Sequence, residues 1–371
     1  MINFTTFPID TNIIIKFLSP IINIFLDSST FGRFSHVFRT SIQQLCLVTG
    51  VTKFSKVSLF SGLNNLYDIS LDKEFGNICG LTHNELLTNF SVLLEDVDIH
   101  KMQLWYDGYY WLNEKVYCPF DVLLFLKTKE YRPFWFETAT PTFLINLIME
   151  KNYSIPQLEE LLVSERVLGS FDIEEIDLET LLYQSGYLTI KEKIEEKNRL
   201  LYRLGYPNME VKISFLNFVL ESFSKNIPAK ENNINNVIQA FKTLDMDKVK
   251  NTIHAFFASI PHDWYRKNNL AGFEGFYASI VYCYFVASGL RVIPEDTTNH
   301  GQIDLSLFID TKCFIIEFKV IELMKKESAV HQIKNKKYYE KYLDFNEIYL
   351  IGVLFSKDKK NIQTFEFERY K

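Results

Sequence analysis

Two apolar segments near the carboxyl end leave this chain few options. Ile303-Asp304-Leu305-Ser306-Leu307-Phe308-Ile309 alternates, so its odd positions face a core while Asp304 and Ser306 share the other face. Cys313-Phe314-Ile315-Ile316-Glu317-Phe318-Lys319 is a second strand, and its charges come last. Side chains along a strand alternate with period two, so Glu317 and Lys319 leave the same face. The short Asp310-Thr311-Lys312 turn pairs the two strands and brings Asp304, Glu317 and Lys319 to one end of a sheet.

The flanking pattern sets this pair in a larger unit. Phe273 to Leu290 carries apolar residues at helical spacing and ends at Gly289; Leu290 to Pro294 reads as a short strand. From Gly272 the order is helix, strand, strand, strand, helix, strand. Two carboxylates and an amine at one sheet end suit phosphodiester hydrolysis, which needs hydroxide at neutral pH and a counter-charge for the transition state. Mg²⁺ takes oxygen ligands, commonly one or two carboxylates with water and phosphate, and Asp304 and Glu317 match that habit. Lys319 is suited to orient or deprotonate the water, or to neutralise the phosphate. Glu274, near the start of the preceding helix, is a candidate third carboxylate.

The rest of the chain bounds the partners. In 371 residues, a 47% hydrophobic content supports real cores, and a net charge of -6 restricts any nucleic-acid contact to a local basic stretch. Lys325, Lys326, Lys334, Lys336, Lys337 and Lys341 form such a stretch; it is either a solvated helix face with Glu327 and Glu340 as partners or a contact for DNA backbone. The five cysteines, Cys46, Cys79, Cys118, Cys283 and Cys313, lack zinc spacing and read as buried thiols of a cytoplasmic protein. The apolar stretch from Thr11 to Leu26 is broken by Lys16, Ser19, Pro20 and Asn23 and reads as neither signal peptide nor membrane span. His254, His262, His300 and His331 show no metal spacing, and His331 falls on a helix surface.

Upstream, Leu45-Cys46-Leu47-Val48 reads as a buried strand ending in Thr49-Gly50-Val51-Thr52-Lys53, and Ser58 to Asp68 reads as a loop. Thr82 with Glu85 makes a capping box before the helically spaced Leu86, Leu87, Phe90, Leu93 and Leu94. Trp105-Tyr106-Asp107-Gly108-Tyr109-Tyr110-Trp111 breaks that pattern and packs a turn against a core. Between Pro141 and Phe257 the signals are helical, with a hairpin formed by Gly186 to Ile190 and Arg199 to Leu204.

Together, Glu274-Gly275-Phe276-Tyr277, Glu295 to Leu305, Ile316-Glu317-Phe318-Lys319 and Gln332-Ile333-Lys334 with Tyr338 resemble the PD-(D/E)XK nuclease superfamily, in the bacterial group where that domain follows an AAA-ATPase-like region. Leu47 to Ser58 resembles the sensor strand of that region, and Phe134 to Phe143 and Leu204 to Asn208 match the group's habit. The resemblance implies an α/β protein whose C-terminal restriction-endonuclease-like αβββαβ core spans 261–371. It follows a divergent segment 1–30, a partial AAA-ATPase-like region 31–135 and a mostly helical connector 136–260. It implies Asp304, Glu317, Lys319, Glu274 and Gln332 as catalytic residues, with Mg²⁺ or Mn²⁺ on Asp304, Glu317 and Glu274, and DNA as substrate. Position 302, often basic in such sequences, is Gln here. No G-x-x-x-x-G-K-[ST] occurs, so no ATP is expected and the ATPase-like part reads as a remnant truncated at its start, with Thr52 and Lys53 structural. The rival expectation is a catalytically inactive nuclease fold kept as an interaction or regulatory protein.

Overall fold

A computed structural model describes residues 68–371, except 136–141, 152, 170–176, 198, 224–235, 262–273 and 324–327. The chain divides into units 1–53 and 54–371, and every described residue lies in the second. The 1–30 segment, the Leu45 to Lys53 strand, the loop from Ser58 to Tyr67, Phe136 to Pro141, His262, Lys325, Lys326 and Glu327 lie outside the described residues.

The described part opens with a small sheet ordered β1-β3-β2, where β1 is Leu81–Thr82, β2 Tyr109–Tyr110 and β3 Lys115–Tyr117. Helix His83–Asn89 starts at the expected capping box, with Thr82 and Glu85 each satisfying the other's backbone N–H. Leu86 and Leu94 face a local core, whereas Leu87 and Leu93 are exposed. Helix Ile99–Tyr106 stops at the aromatic run, and Tyr106 and Tyr109 are buried. Gly108 turns the chain at φ +115°, where a Cβ would meet the Pro207 carbonyl oxygen at 2.2 Å, so only glycine fits.

A second sheet, ordered β4-β6-β5, contains the expected hairpin: β5 Thr189–Glu196 pairs antiparallel with β6 Arg199–Gly205. Strand β4, Leu161–Ser164, joins it and was not legible as a strand. Helices Met209–Phe223 and Met246–Ser259 extend the main core toward the last unit.

That unit is a five-stranded sheet ordered β11-β10-β9-β8-β7, comprising β7 Arg291–Thr298, β8 Gly301–Ile309, β9 Lys312–Val320, β10 Glu347–Ser356 and β11 Asn361–Arg369. Only β9 and β10 run parallel, joined by a crossover that carries helix Ala329–Asn335; the other neighbours are antiparallel. One face packs on helix Glu274–Ala287, which is buried on nearly every side, and the other on a smaller cluster with Val330, Ile333, Tyr338 and Tyr342. Strand β7 runs past Pro294, further than the sequence suggests, because Pro294 sits on an edge strand that tolerates it.

One expectation needs correction. Leu305, Leu307 and Ile309 line the main core, but Ile303 lies in the smaller cluster on the opposite face, so the alternation of β8 flips at Asp304. The cause is on the neighbouring strand, where Glu295 has φ +47°, and a left-handed residue reverses the pleat.

Gly352 of β10 pairs in register with Glu317 of β9. A Cβ there would lie 2.9 Å from Ala329 Cβ and 2.9 Å from Glu366 Oε2. The missing side chain therefore lets the Ala329 helix approach the sheet. A Gly352→Val variant is expected to lose about 1–3 kcal/mol of stability through overpacking, read by urea denaturation.

Candidate active site

The β8–β9 ladder runs from Ile309 opposite Lys312 to Leu305 opposite Ile316. The next rung would join Asp304 to Glu317, and there side chains replace backbone partners. Phe318 N–H donates to Asp304 Oδ2 at 2.7 Å, and Asp304 N–H donates to Glu317 Oε1 at 3.4 Å. Each carboxylate thus occupies an amide of the opposite strand where the strands part.

The other three predicted residues converge on this pair. Gln332 Nε2 donates to Glu317 Oε2 at 2.8 Å, from the helix that Gly352 admits. Lys319 Nζ lies 3.8 Å from Glu317 Oε2 and 3.4 Å from Glu274 Oε1. Glu274 comes from the first turn of the helix on the opposite face, so Lys319 links the two layers. All five candidates therefore meet at one end of the sheet.

Burial pushes the Asp304 carboxyl up to about 7, against the opposing pull of the Phe318 amide and Lys319. Burial and the neighbouring Asp304 charge push Glu317 well above the usual carboxylate range. Burial acts to discharge Lys319, but Glu274, Glu317 and Asp304 outweigh it and hold the amine above its ordinary value. The site is a proton-hungry carboxylate pair beside an amine held charged.

That chemistry fits a divalent cation. Asp304 and Glu317 offer hard oxygen donors, and burial raises the proton affinity of both by more than Lys319 offsets. Among the described residues no three His, Cys, Asp or Glu groups stand close enough to enclose an ion by themselves. Water and phosphate would complete the shell, as is usual for Mg²⁺.

Further residues support this centre: Tyr338, part of the family-like run, and Asp296, whose role the sequence did not reveal. Tyr338 is buried beside Gln332 and Glu317. Asp296, also buried, accepts from Ser306 Oγ at 2.6 Å, from Lys341 and from the Tyr342 hydroxyl, tying the turn after the Gln332 helix to β7 and β8. Among the described lysines of this stretch, Lys334 pairs with Glu368 at 2.6 Å, Lys337 with Glu340 at 3.8 Å and Lys341 with Asp296. That favours a solvated, internally paired face over a uniform basic stripe. His331 is exposed on its helix.

The comparisons agree with this geometry for the last unit. Residues 272–365 match the PD-(D/E)XK nuclease superfamily, so this part of the chain is a nuclease-superfamily domain. Over 329 residues the chain is 42% identical to a protein of Azotobacter chroococcum mcd 1 described as an uncharacterized protein in vnfD 5'region; the aligned part is 88% of this chain and 63% of that protein. The chain thus spans somewhat under two thirds of that relative's length. No solved structure matches it. No described helix is long and apolar enough to cross a membrane.

The carboxylate pair makes stability depend on pH. Asp304 has a folded-state value near 7, above an unfolded value of about 4. The native state then binds more protons between those values, and its stability falls as pH rises from about 4 to about 7. With cations chelated, Asp304→Asn is expected to raise stability by roughly 1–3 kcal/mol at pH 8 and by much less at pH 5, measured by urea denaturation at the two pH values.

Proposed function

We propose that this chain is a metal-dependent nuclease that hydrolyses DNA phosphodiester bonds. The observation that carries this reading is the convergence of Asp304, Glu317, Lys319, Glu274 and Gln332 at one sheet end inside a nuclease-superfamily domain. Asp304 and Glu317 would hold Mg²⁺ or Mn²⁺, with Glu274 at the margin of the site through Lys319. When bound, such a cation supplies hydroxide at neutral pH and offsets charge on the phosphate.

The protein's own groups do the positioning. Phe318 N–H fixes one oxygen of Asp304, and Gln332 fixes one oxygen of Glu317, so both carboxylates are oriented before substrate arrives. Lys319 is held charged by three carboxylates, which suits it to bind a phosphate oxygen rather than to remove a proton from water. Residues 31–135 are proposed to be an ATPase-like module that works without nucleotide, a reading that rests on the sequence resemblance.

The test is cleavage of plasmid and single-stranded DNA by the purified protein in Mg²⁺ or Mn²⁺. Asp304→Ala, Glu317→Ala and Lys319→Ala are each expected to lower the rate by about 100-fold or more. Cleavage that survives both Asp304→Ala and Lys319→Ala would sink the assignment.

A further inference from the structure

The amino ends of two helices meet inside the molecule, and each brings an acid. Helix Pro119–Thr128 carries Asp121 in its first turn, and helix Met209–Phe223 carries Glu210 in its own. Asp121 is 1% exposed and Glu210 0%, and the two carboxyl groups lie within hydrogen-bonding reach of each other. The first helix belongs to the local core of Tyr106, Val122, Phe125 and Phe134, the second to the main core through Val211 and Phe215. The acid pair is thus a polar contact across the seam between two apolar clusters.

The groups that face the pair are a thiol, two phenols and a backbone amide. Trp135 N–H donates to Glu210 Oε1 at 2.8 Å. The Cys118 thiol, just ahead of the first helix, faces Asp121. Both carboxyl groups lie close enough to act on the Tyr106 and Tyr109 hydroxyls, and Tyr106 already donates its own proton to the Arg132 carbonyl oxygen at 3.0 Å. Such groups orient a carboxylate without cancelling its charge. Each helix end contributes roughly half a positive charge, so the two together accommodate about one negative charge. Two ionised carboxylates in contact do not persist away from water, and burial raises the Asp121 carboxyl accordingly.

We propose that Asp121 and Glu210 share a single proton, and that this proton closes a pH-sensitive joint between helix Pro119–Thr128 with its local core and the main core. With the proton present, one carboxyl donates to the other and the seam is satisfied. When it leaves to solvent, two charges face each other in apolar surroundings and the helix ends part. The joint is independent of the nuclease reading. Because the folded pair titrates above the ordinary carboxylate values of about 4, the native state keeps a proton that the unfolded chain has released. The joint's contribution to stability is therefore fully present at acid pH and is lost as pH rises through the pair's folded value.

Urea denaturation of the full chain at pH 5 and pH 8, with cations chelated, tests it by comparing wild type with Asp121→Asn and Glu210→Gln. An amide keeps a hydrogen bond across the seam and has no acid proton to lose. Relative to wild type, each variant is expected to gain about tenfold or more in folding equilibrium constant between pH 5 and pH 8, since one unit of raised proton affinity is a factor of ten. Asp304 is common to all three proteins, so its own titration cancels from the difference. Amide hydrogen exchange, corrected for its chemical rate, is the second readout: helix Pro119–Thr128 is expected to lose protection at pH 9 in wild type and to keep it in Asp121→Asn. If only one variant folds, that variant decides. A difference from wild type that is the same at pH 5 and pH 8 overturns the shared proton. Protection of that helix in wild type that is unchanged from pH 5 to pH 9 overturns the joint.

Discussion

The contact on which the last unit depends is the donation from Phe318 N–H to Asp304 Oδ2. In a continuous antiparallel ladder that amide would meet a backbone carbonyl, and the two strands would stay together to their ends. Here a side chain takes the place of the backbone, so β8 and β9 separate at the rung where their carboxylates sit. The separation leaves no amide stranded, since an unpaired buried N–H is expensive. It also turns two acidic side chains inward at a sheet end instead of letting them swing into water. The polar groups that the chemistry needs are thus the same groups that terminate the ladder.

Elements distant in sequence keep that arrangement in place. Gly352 lies beside Glu317 on the parallel strand, and its missing side chain admits Ala329 and the Glu366 carboxylate. Glu366 accepts the Val330 N–H at 3.3 Å and so seats the start of the helix that delivers Gln332. On the other flank, Lys341 and Tyr342 reach Asp296 and fix the turn that carries Tyr338. Each of these is a packing or hydrogen-bonding residue outside the reacting group, and each controls the angle at which a carboxylate is presented.

The sequence made the centre of the site more legible than its frame. Period-two alternation in an apolar run is a strong signal, so the two central strands and the shared face of Glu317 and Lys319 could be read directly. Gly289 marked the end of the Glu274 helix, and the capping box at Thr82 marked the start of another. Glu295, Asp296 and Gly352 were opaque because their roles depend on partners 9 to 46 residues away, through register and backbone conformation that residue types do not encode. The flip of β8 at Asp304 was missed for the same reason: the residue that causes it lies on a different strand.

A second buried acid pair shows why proximity of carboxylates alone does not define a site. Asp121 and Glu210 are almost wholly buried and lie against each other, each in the first turn of its own helix. Trp135 N–H donates to Glu210 Oε1 at 2.8 Å, and the amino ends of both helices favour negative charge there. Burial still raises the Asp121 carboxyl, and the opposing pull comes from the Glu210 and Cys118 side chains and then from the Trp135 amide. That pair joins two layers of the molecule and is closed to solvent. Asp304 and Glu317 sit on strands, whose dipoles largely cancel, and beyond one strand amide each their charge is met by Lys319. Lys319 meets part of it and remains partly open to solvent, which is what separates a place for chemistry from a buried joint.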